Sequence, residues 1–392
     1  MILKDNKEEY NIAPDELLNT IVDNFFNTNH NKKIDKVIKK ILKNNNLNNV
    51  QRTITTFINL FKSNNYNIKY FIKILKKLKY SPKNYLSHKK LLLLIINVYI
   101  EYETELKNEK ALDFNDMINK SIQSLKQKGL SKKWKYIIID EYQDTSYVKF
   151  ELINEIIKLT NANLLVVGDD FQSIYRFTGC DLNIFLKFTK YFNYSKIFHI
   201  VNTYRNPQEL INVAGSFVMK NPLQQKKNLI SHKHLNYPIK IYNSKNNIRS
   251  LKEILIILKD SKEIMVIGRN NKDINYYIDN EFKKEEDLYN YKNIKFRYLT
   301  IHKSKGLEAD NIILINVEDK ITGIPTKLKD EDILKYVNNT KDYFPYEEER
   351  RLFYVALTRT KNYVYIINNP KKESIFTKEI KKYNKYVEQI KR

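Results

Sequence analysis

The chain has 392 residues, 42% of them hydrophobic, which supplies cores for roughly two to three domains and excludes a disordered tail. Its 69 basic and 45 acidic residues leave a formal net charge of +24, which favours a polyanionic partner such as nucleic acid, although a composition rich in Lys, Asn, Ile and Tyr accounts for the excess equally well. The single cysteine, Cys180, excludes an internal disulfide and a multi-cysteine zinc site, and no signal-peptide core or membrane-length apolar run is seen, so a soluble, intracellular protein with no membrane partner is expected.

From about Pro14 to Lys126, Ile, Leu, Phe and Tyr recur at three- and four-residue steps among Lys and Asn, which predicts a helical subdomain over residues 1–126. The Asn clusters at Asn44 to Asn49 and at Asn64 and Asn65 read as loops. From Trp134 the texture changes to short β-rich runs alternating with helices. KYIIID is followed by a helix over Phe150 to Leu159, then NLLVVGDD, a helix over Leu182 to Phe192, and KIFHIV at Lys196 to Val201. A second series, EIMVIGR, RYLTIH, NIILINV and YVYIIN, is separated by helical stretches such as Glu347 to Thr358. Strands alternating with helices predict the α/β class, with parallel sheets covered on both faces and a cleft between two α/β units. The expected boundaries are a partial first α/β domain over 127–195, a second over 196–370, and a basic C-terminal helix over 371–392.

The chemistry concentrates where the strands end. In Tyr136 to Ser146, YIIIDEYQDTS, an aliphatic run stops at two adjacent carboxylates, Asp140 and Glu141. Lone Asp-Glu pairs at strand ends are commonly solvated loop starts, but in nucleotide hydrolases the first acid holds Mg²⁺ and the second positions or deprotonates the attacking water. The next strand, Leu164 to Val167, ends in GDDFQSIYRF; Gly168 permits a tight exit, and Asp169 and Gln172 would stand beside the acids if the two strands are neighbours. TYRN at Thr203 to Asn206, TIHKSKGLEAD at Thr300 to Asp310 and EEERRLFYVALTRTK at Glu347 to Lys361 follow in order.

In this order and spacing, the segments from about Asp113 to Lys361 resemble the UvrD/Rep-type superfamily 1 DNA helicases, including the acidic segment DFNDMI at Asp113 to Ile118. The resemblance implies two RecA-like parallel-sheet domains with the helical subdomain before them, ATP and Mg²⁺ as cofactors, and single-stranded or partly duplex DNA as partner. It assigns Asp140 to Mg²⁺, Glu141 as catalytic base, Gln172 as sensor of the γ-phosphate, and Arg205 and Arg359 as arginine fingers. Tyr204 would stack on adenine, Asp169, Gly306 and Glu308 would approach the nucleotide, and Phe177, Thr300 and His302 would meet the DNA strand. Taken singly, the arginines read as ordinary surface or salt-bridge residues, Tyr204 as core and His302 equally as a packing residue; Lys303 and Lys305 read equally as phosphate contacts or basic background.

One family element is missing from the pattern. None of the seven glycines, at 129, 168, 179, 215, 268, 306 and 323, is followed by lysine, so no GxxxxGK[ST] phosphate loop is present in these 392 residues. In the family that loop precedes the helical subdomain, and the chain reads as starting after it. The first sheet is then expected to lack a central strand and to expose apolar surface around Ile137 to Ile139 and Leu164 to Val167, for another polypeptide to complete or for the domain to close over. The stretch between Arg205 and Thr300 is short for the family, Thr178 stands where Arg is usual, and Thr203 where Asn is usual. Two functions stay open: an ATP-dependent, 3′ to 5′ helicase or translocase whose phosphate loop is supplied elsewhere, or an inactive remnant that binds nucleic acid without hydrolysis.

Overall fold

Asparagine and aspartate side chains cap three of the helices in the N-terminal third. The computed structural model describes residues 3, 9–43, 45–78, 85–329, 331–338 and 343–391. A short strand, β1 (Asn11–Ile12), precedes helices α1 (Leu17–Asn27), α2 (Lys32–Leu42), α3 (Leu47–Ser63), α4 (Lys69–Leu78) and α5 (Tyr85–Asn108). Then come β2 (Ala111–Leu112), parallel to β1, and α6 (Phe114–Lys128). Asn31 and Asp113 accept hydrogen bonds from the backbone N–H groups of the first turns of α2 and α6, the role their short polar side chains fill best. Asn46 does the same for α3, so the asparagine run expected to be a loop up to Asn49 becomes a helix start; Asn44 lies outside the described residues.

These helices enclose one core in which Phe57, Phe61 and Phe71 are buried, with Phe61 and Phe71 stacked at 4.5 Å. Ile333, Leu334 and Val337, in and beside a 3₁₀ turn at Asp332–Tyr336, enter the same core. Asn64 Nδ2 donates to the Val337 carbonyl (2.9 Å) and the Tyr70 hydroxyl to that of Tyr336 (3.1 Å). Lys62 is buried among three carboxylates, at 2.6 Å from Glu103, 2.8 Å from Asp113 and 2.7 Å from Asp116. Burial opposes its charge, yet the three acids hold the lysine pKa above its usual value, while burial lifts Asp116 to about 6.

The same compact unit carries β3 (Tyr136–Ile139), α7 (Tyr147–Thr160), β4 (Asn163–Val166), α8 (Leu182–Leu186) and α9 (Phe188–Tyr191). β3 and β4 pair in parallel from Tyr136↔Asn163 to Ile139↔Val166. Ile139 and Val166 pack with Tyr142, Phe150, Ile184 and Phe188. The alternate positions are bare: Tyr136 is 63% exposed, Ile138 70%, Leu165 55% and Val167 43%. Parallel strands are normally covered on both faces, so this is the apolar surface expected around these two segments.

The second unit is built on an eight-stranded sheet. Its elements are α10 (Gln208–Val218), β5 (Ile239–Asn243), α11 (Asn247–Ile257), β6 (Ile264–Gly268), β7 (Lys283–Glu285), β8 (Leu288–Tyr291), β9 (Ile294–Thr300), α12 (Ile301–Ser304), β10 (Ala309–Leu314), α13 (Glu347–Leu357), β11 (Thr360–Asn368), α14 (Ile375–Ile380) and β12 (Val387–Lys391). The order is β12-β5-β11-β10-β6-β9-β8-β7, parallel as far as β9 and antiparallel through β8 and β7. β6 is buried throughout and β10 nearly so, which is why IMVIG and the IIL end of β10 read as apolar runs. The β7 edge carries exposed Lys283 and Lys284, charges that discourage pairing with another chain.

Several expectations are corrected. KIFHIV forms no strand; the nearest ladder contact is an isolated bridge between Asn202 and Ile230, and Phe198 and Ile200 are exposed, because an apolar run becomes a strand only with a partner edge. The predicted helix over Leu182 to Phe192 breaks at Lys187 into α8 and α9. The expected C-terminal basic helix is instead the six-residue α14 followed by β12, whose VEQIK alternation places Val387 in the core beside β5. The unit boundaries also differ. Asp170–Ile174 clusters with the second unit and Asp330–Lys341 with the first, so neither 127–195 nor 196–370 is one compact body.

Candidate functional site

In the first unit, backbone bonds fasten the ends of β3 and β4. Val167 N–H donates to the Ile139 carbonyl (2.8 Å) and Tyr142 N–H to that of Val167 (2.9 Å), so the residues after both strands leave the sheet side by side. Gln143 ties them further: its Oε1 accepts from the Asp169 N–H (3.0 Å) and its Nε2 donates to the Glu141 carboxylate. Asp140 Oδ1 accepts from the Glu141 N–H at 2.8 Å. Glu141 sits at φ +51°, a left-handed conformation that a residue with a Cβ adopts at some cost. Asp140, Glu141 and Asp169 are thereby gathered at one end of the sheet, as expected if the strands are neighbours, and both Asp140 and Glu141 are exposed.

Gly168 is the hinge of this arrangement. A Cβ built there would lie 2.5 Å from Gln143 Oε1 and 2.8 Å from the Phe185 ring. Gly168→Ala should therefore push Gln143 off the Asp169 amide and lower stability by about 1–3 kcal/mol, measured by urea denaturation.

In the second unit a separate group forms around Gln172 and Arg359. Arg359 is buried; its Nη2 donates to Gln172 Oε1 (3.2 Å), its Nε to the Val355 carbonyl (3.1 Å) and its Nη1 to that of Leu307 (3.4 Å). Lys305 Nζ donates to the Gln172 carbonyl (2.9 Å), which sets it apart from the basic background. Arg205 Nε meets Glu308 at 2.7 Å and Lys361 Nζ meets the same carboxylate at 3.3 Å; the Arg205 hydrogen bond, with Lys361 behind it, holds Glu308 below the usual glutamate pKa. Gly306, at φ +80°, opens the turn between Lys305 and Leu307, and Tyr204 is strongly exposed rather than core. Within the second unit, Gln172 is held by Arg359 and Lys305.

Phe177 lies on a 3₁₀ turn at Arg176–Thr178 of the first unit, half-exposed and edge-on to Tyr175 at 6.1 Å. Thr300 caps α12, accepting from the Lys303 N–H at 3.4 Å. His302 has its pKa lowered to about 4, by burial first and by the nearby Arg269 charge second, so it is neutral at pH 7. The ring therefore offers a hydrogen bond or a stacking face, not a positive charge.

Sequence reading passed over the residues that hold these groups. Gln143 stood in plain view inside DEYQD. Asp170, the second acid of GDD, is fully buried, ion-paired with Lys227 and bonded by Gln224 Nε2 (2.5 Å) and the Gln225 N–H (2.9 Å). Arg351 of α13 donates to the Ser173 carbonyl (2.7 Å), to Gln224 Oε1 (3.2 Å) and to Glu347 (3.0 Å). Together they fix the segment that carries Gln172.

Among the described residues no three His, Cys, Asp or Glu side chains form a metal cage. Mg²⁺ that arrives with a nucleotide needs only one or two protein carboxylates, the other ligands being phosphate oxygens and water, and the exposed Asp140 fits that requirement with Asp169 gathered at the same sheet end. No helix among the described residues is long and apolar enough to cross a membrane.

Residues 1–193 match the UvrD/REP helicase N-terminal domain family and residues 285–371 the UvrD-like helicase C-terminal domain family. DNA helicase IV of Escherichia coli (strain K12) is 29% identical over 278 residues, 70% of this chain and 40% of that protein. The ATP-dependent DNA helicase PcrA of Bacillus subtilis (strain 168) is 29% identical over 157 residues, 39% of this chain and 21% of its own. A probable DNA helicase of Mycoplasma pneumoniae is 25% identical over 283 residues, covering 68% of this chain and 50% of that protein. The chain therefore spans half or less of the length of these relatives. With both domain families matched in order and the strand-end acids gathered as described, the chain belongs to the UvrD/Rep-type superfamily 1 helicases.

Proposed function

We propose that the chain forms part of an ATP-dependent DNA helicase or translocase that moves 3′ to 5′ along single-stranded DNA. The observation that carries this reading is the Gln143 clamp, which holds Glu141 and the Asp169 backbone at one strand end. In this reading Asp140 holds the Mg²⁺ that neutralises charge on the nucleotide phosphates, and Glu141 takes the proton of the attacking water. Gln172, held by Arg359, reports the γ-phosphate; Arg205 and Arg359 stabilise the charge that develops on it, Glu308 and Gly306 approach the ribose side, and Tyr204 offers its exposed ring to adenine. Phe177, Thr300 and His302 meet the DNA strand. The phosphate-cradling loop is supplied from outside these 392 residues, and the bare face at Ile138 and Leu165 suits a segment that completes the sheet.

A second reading, a nucleic-acid binder without turnover, is favoured by a different observation: no glycine of these residues is followed by lysine. One experiment separates them. Phosphate release from ATP is measured on the purified chain, alone and supplemented with a polypeptide that carries the GxxxxGK[ST] segment, with Mg²⁺ and single-stranded DNA, beside binding of the same DNA at several salt concentrations. Release that depends on DNA supports the motor; salt-sensitive binding with no release supports the binder. Neither release nor binding would sink both.

A further inference from the structure

Helix α4 and the turn before it form a feature that none of the motifs uses. Tyr66 and Tyr70 stack face to face, ring centroids 3.7 Å apart and planes 10° from parallel. Both rings rest edge-on against the buried Phe61, at 5.9 Å and 6.3 Å, so the pair is anchored in the helical core. With Asn65, Asn67, Lys69 and Lys73 they line a shallow surface hollow of about 270 Å³. Lys73 stands over the Tyr70 ring at 5.3 Å. Asn65, left-handed at φ +54°, is held by Glu151 at 2.9 Å, which fixes the rim of the hollow. From Lys69 to Leu78 the helix carries four lysines and no acid, and Lys69, Lys73, Lys76 and Lys77 are all exposed.

We propose that this hollow is a binding site for an unpaired nucleobase and its flanking phosphates, separate from the strand contacts at Phe177, Thr300 and His302. An anchored aromatic pair extends naturally by one more flat ring, since a preformed stack needs little reordering to accept a base. Asn67, whose Oδ1 accepts from the Lys69 N–H (3.0 Å), presents its Nδ2 as a donor to a base edge without fixing which base. Lys69 and Lys73, one helical turn apart, match the repeated charge of a phosphate backbone. The ligand class is therefore single-stranded nucleic acid, and the site gives the helical body its own grip on it. This rests on the nucleic-acid binding proposed above.

The test uses the full chain and fluorescein-labelled single-stranded oligothymidylate, followed by anisotropy. Tyr66→Ala should weaken binding at least about fivefold, while Tyr66→Phe, which keeps the ring, should stay within about twofold of wild type. Because Tyr66→Ala also removes a ring from beside Phe61, the exposed double variant Lys69→Ala/Lys73→Ala is measured too. It should flatten the slope of log K against log salt by about 1.4, at ~0.7 per phosphate. Photocrosslinking with a bromodeoxyuridine oligonucleotide should label the tryptic peptide Ser63–Lys69. If wild type binds and Phe177→Ala weakens it, but the Tyr66 and lysine variants match wild type and no label reaches that peptide, the site is wrong while the function stands. If wild type binds no strand, both fall.

Discussion

Replacing Lys62 by methionine should lower the stability of the helical unit by about 3–5 kcal/mol at pH 7, seen as an earlier urea midpoint in its helical signal. Lys62 is 4% exposed at its side chain and touches Glu103, Asp113 and Asp116, whose side chains are 37%, 17% and 19% exposed. Three acids around one lysine are already in excess of charge. Without the ammonium, neighbouring carboxylates face one another in a partly dry site, and the hydrogen bond from the Tyr102 hydroxyl to Asp113 (3.0 Å) cannot neutralise them. The loss should shrink as pH falls. Asp116 is lifted from 3.8 to about 6 in the folded chain, chiefly by burial. A folded pKa above the unfolded one means that its favourable contribution is present below about pH 4 and is lost as pH rises through 6. Lys62→Met should therefore cost visibly less at pH 5 than at pH 7, and Asp116→Asn should flatten the wild-type profile across that window. A pH-independent loss would show that packing of the lysine stem, not its charge, is what matters.

Glu141→Gln should reduce DNA-stimulated ATP hydrolysis by roughly 10²–10⁴-fold and leave strand binding close to wild type. The substitution keeps size and shape and removes only the capacity to take a proton. Geometry favours a clean readout, because Glu141 is fixed twice, by the bond from Gln143 and by the backbone bond that ties Asp140 Oδ1 to its N–H. The residue also holds a left-handed backbone at φ +51°, a conformation retained at some energetic cost, which suits a side chain that must point in one direction. The measurement is single-stranded-DNA-dependent phosphate release in the presence of whatever supplies the phosphate loop. Equal rates for the variant and wild type would remove Glu141 from the chemistry.

The sequence was most readable where an element's surroundings are uniform. β6, β10 and β11 lie inside a parallel sheet, so each carries an apolar run, IMVIG, IIL and YVYII, by which it announces itself. The amphipathic helices of the first unit follow the same logic with a period of 3.6, and the acids after β3 and the glycine after β4 were legible because strand ends carry sites. The family and its ordered motifs were also readable from residues alone, since chemistry restricts which side chains can stand there.

What could not be read depends on partners distant in the chain. KIFHIV has strand composition but gains no partner edge, whereas VEQIK, with less apolar character, becomes a strand because β5 offers one. The turn at Asp332–Tyr336 joins the helical core through Asn64 and Tyr70, more than 260 residues before it, and the Lys62 network gathers acids from α5, α6 and the Asp113 cap. Gln172, three residues from Asp169, belongs with Arg359 because Asp170 is buried under Lys227 and Gln224. Composition and period specify which residues seek burial or water; the closing of the chain on itself specifies which of them meet, since a hydrogen bond or an ion pair requires two groups within about 3 Å and no local pattern encodes that distance.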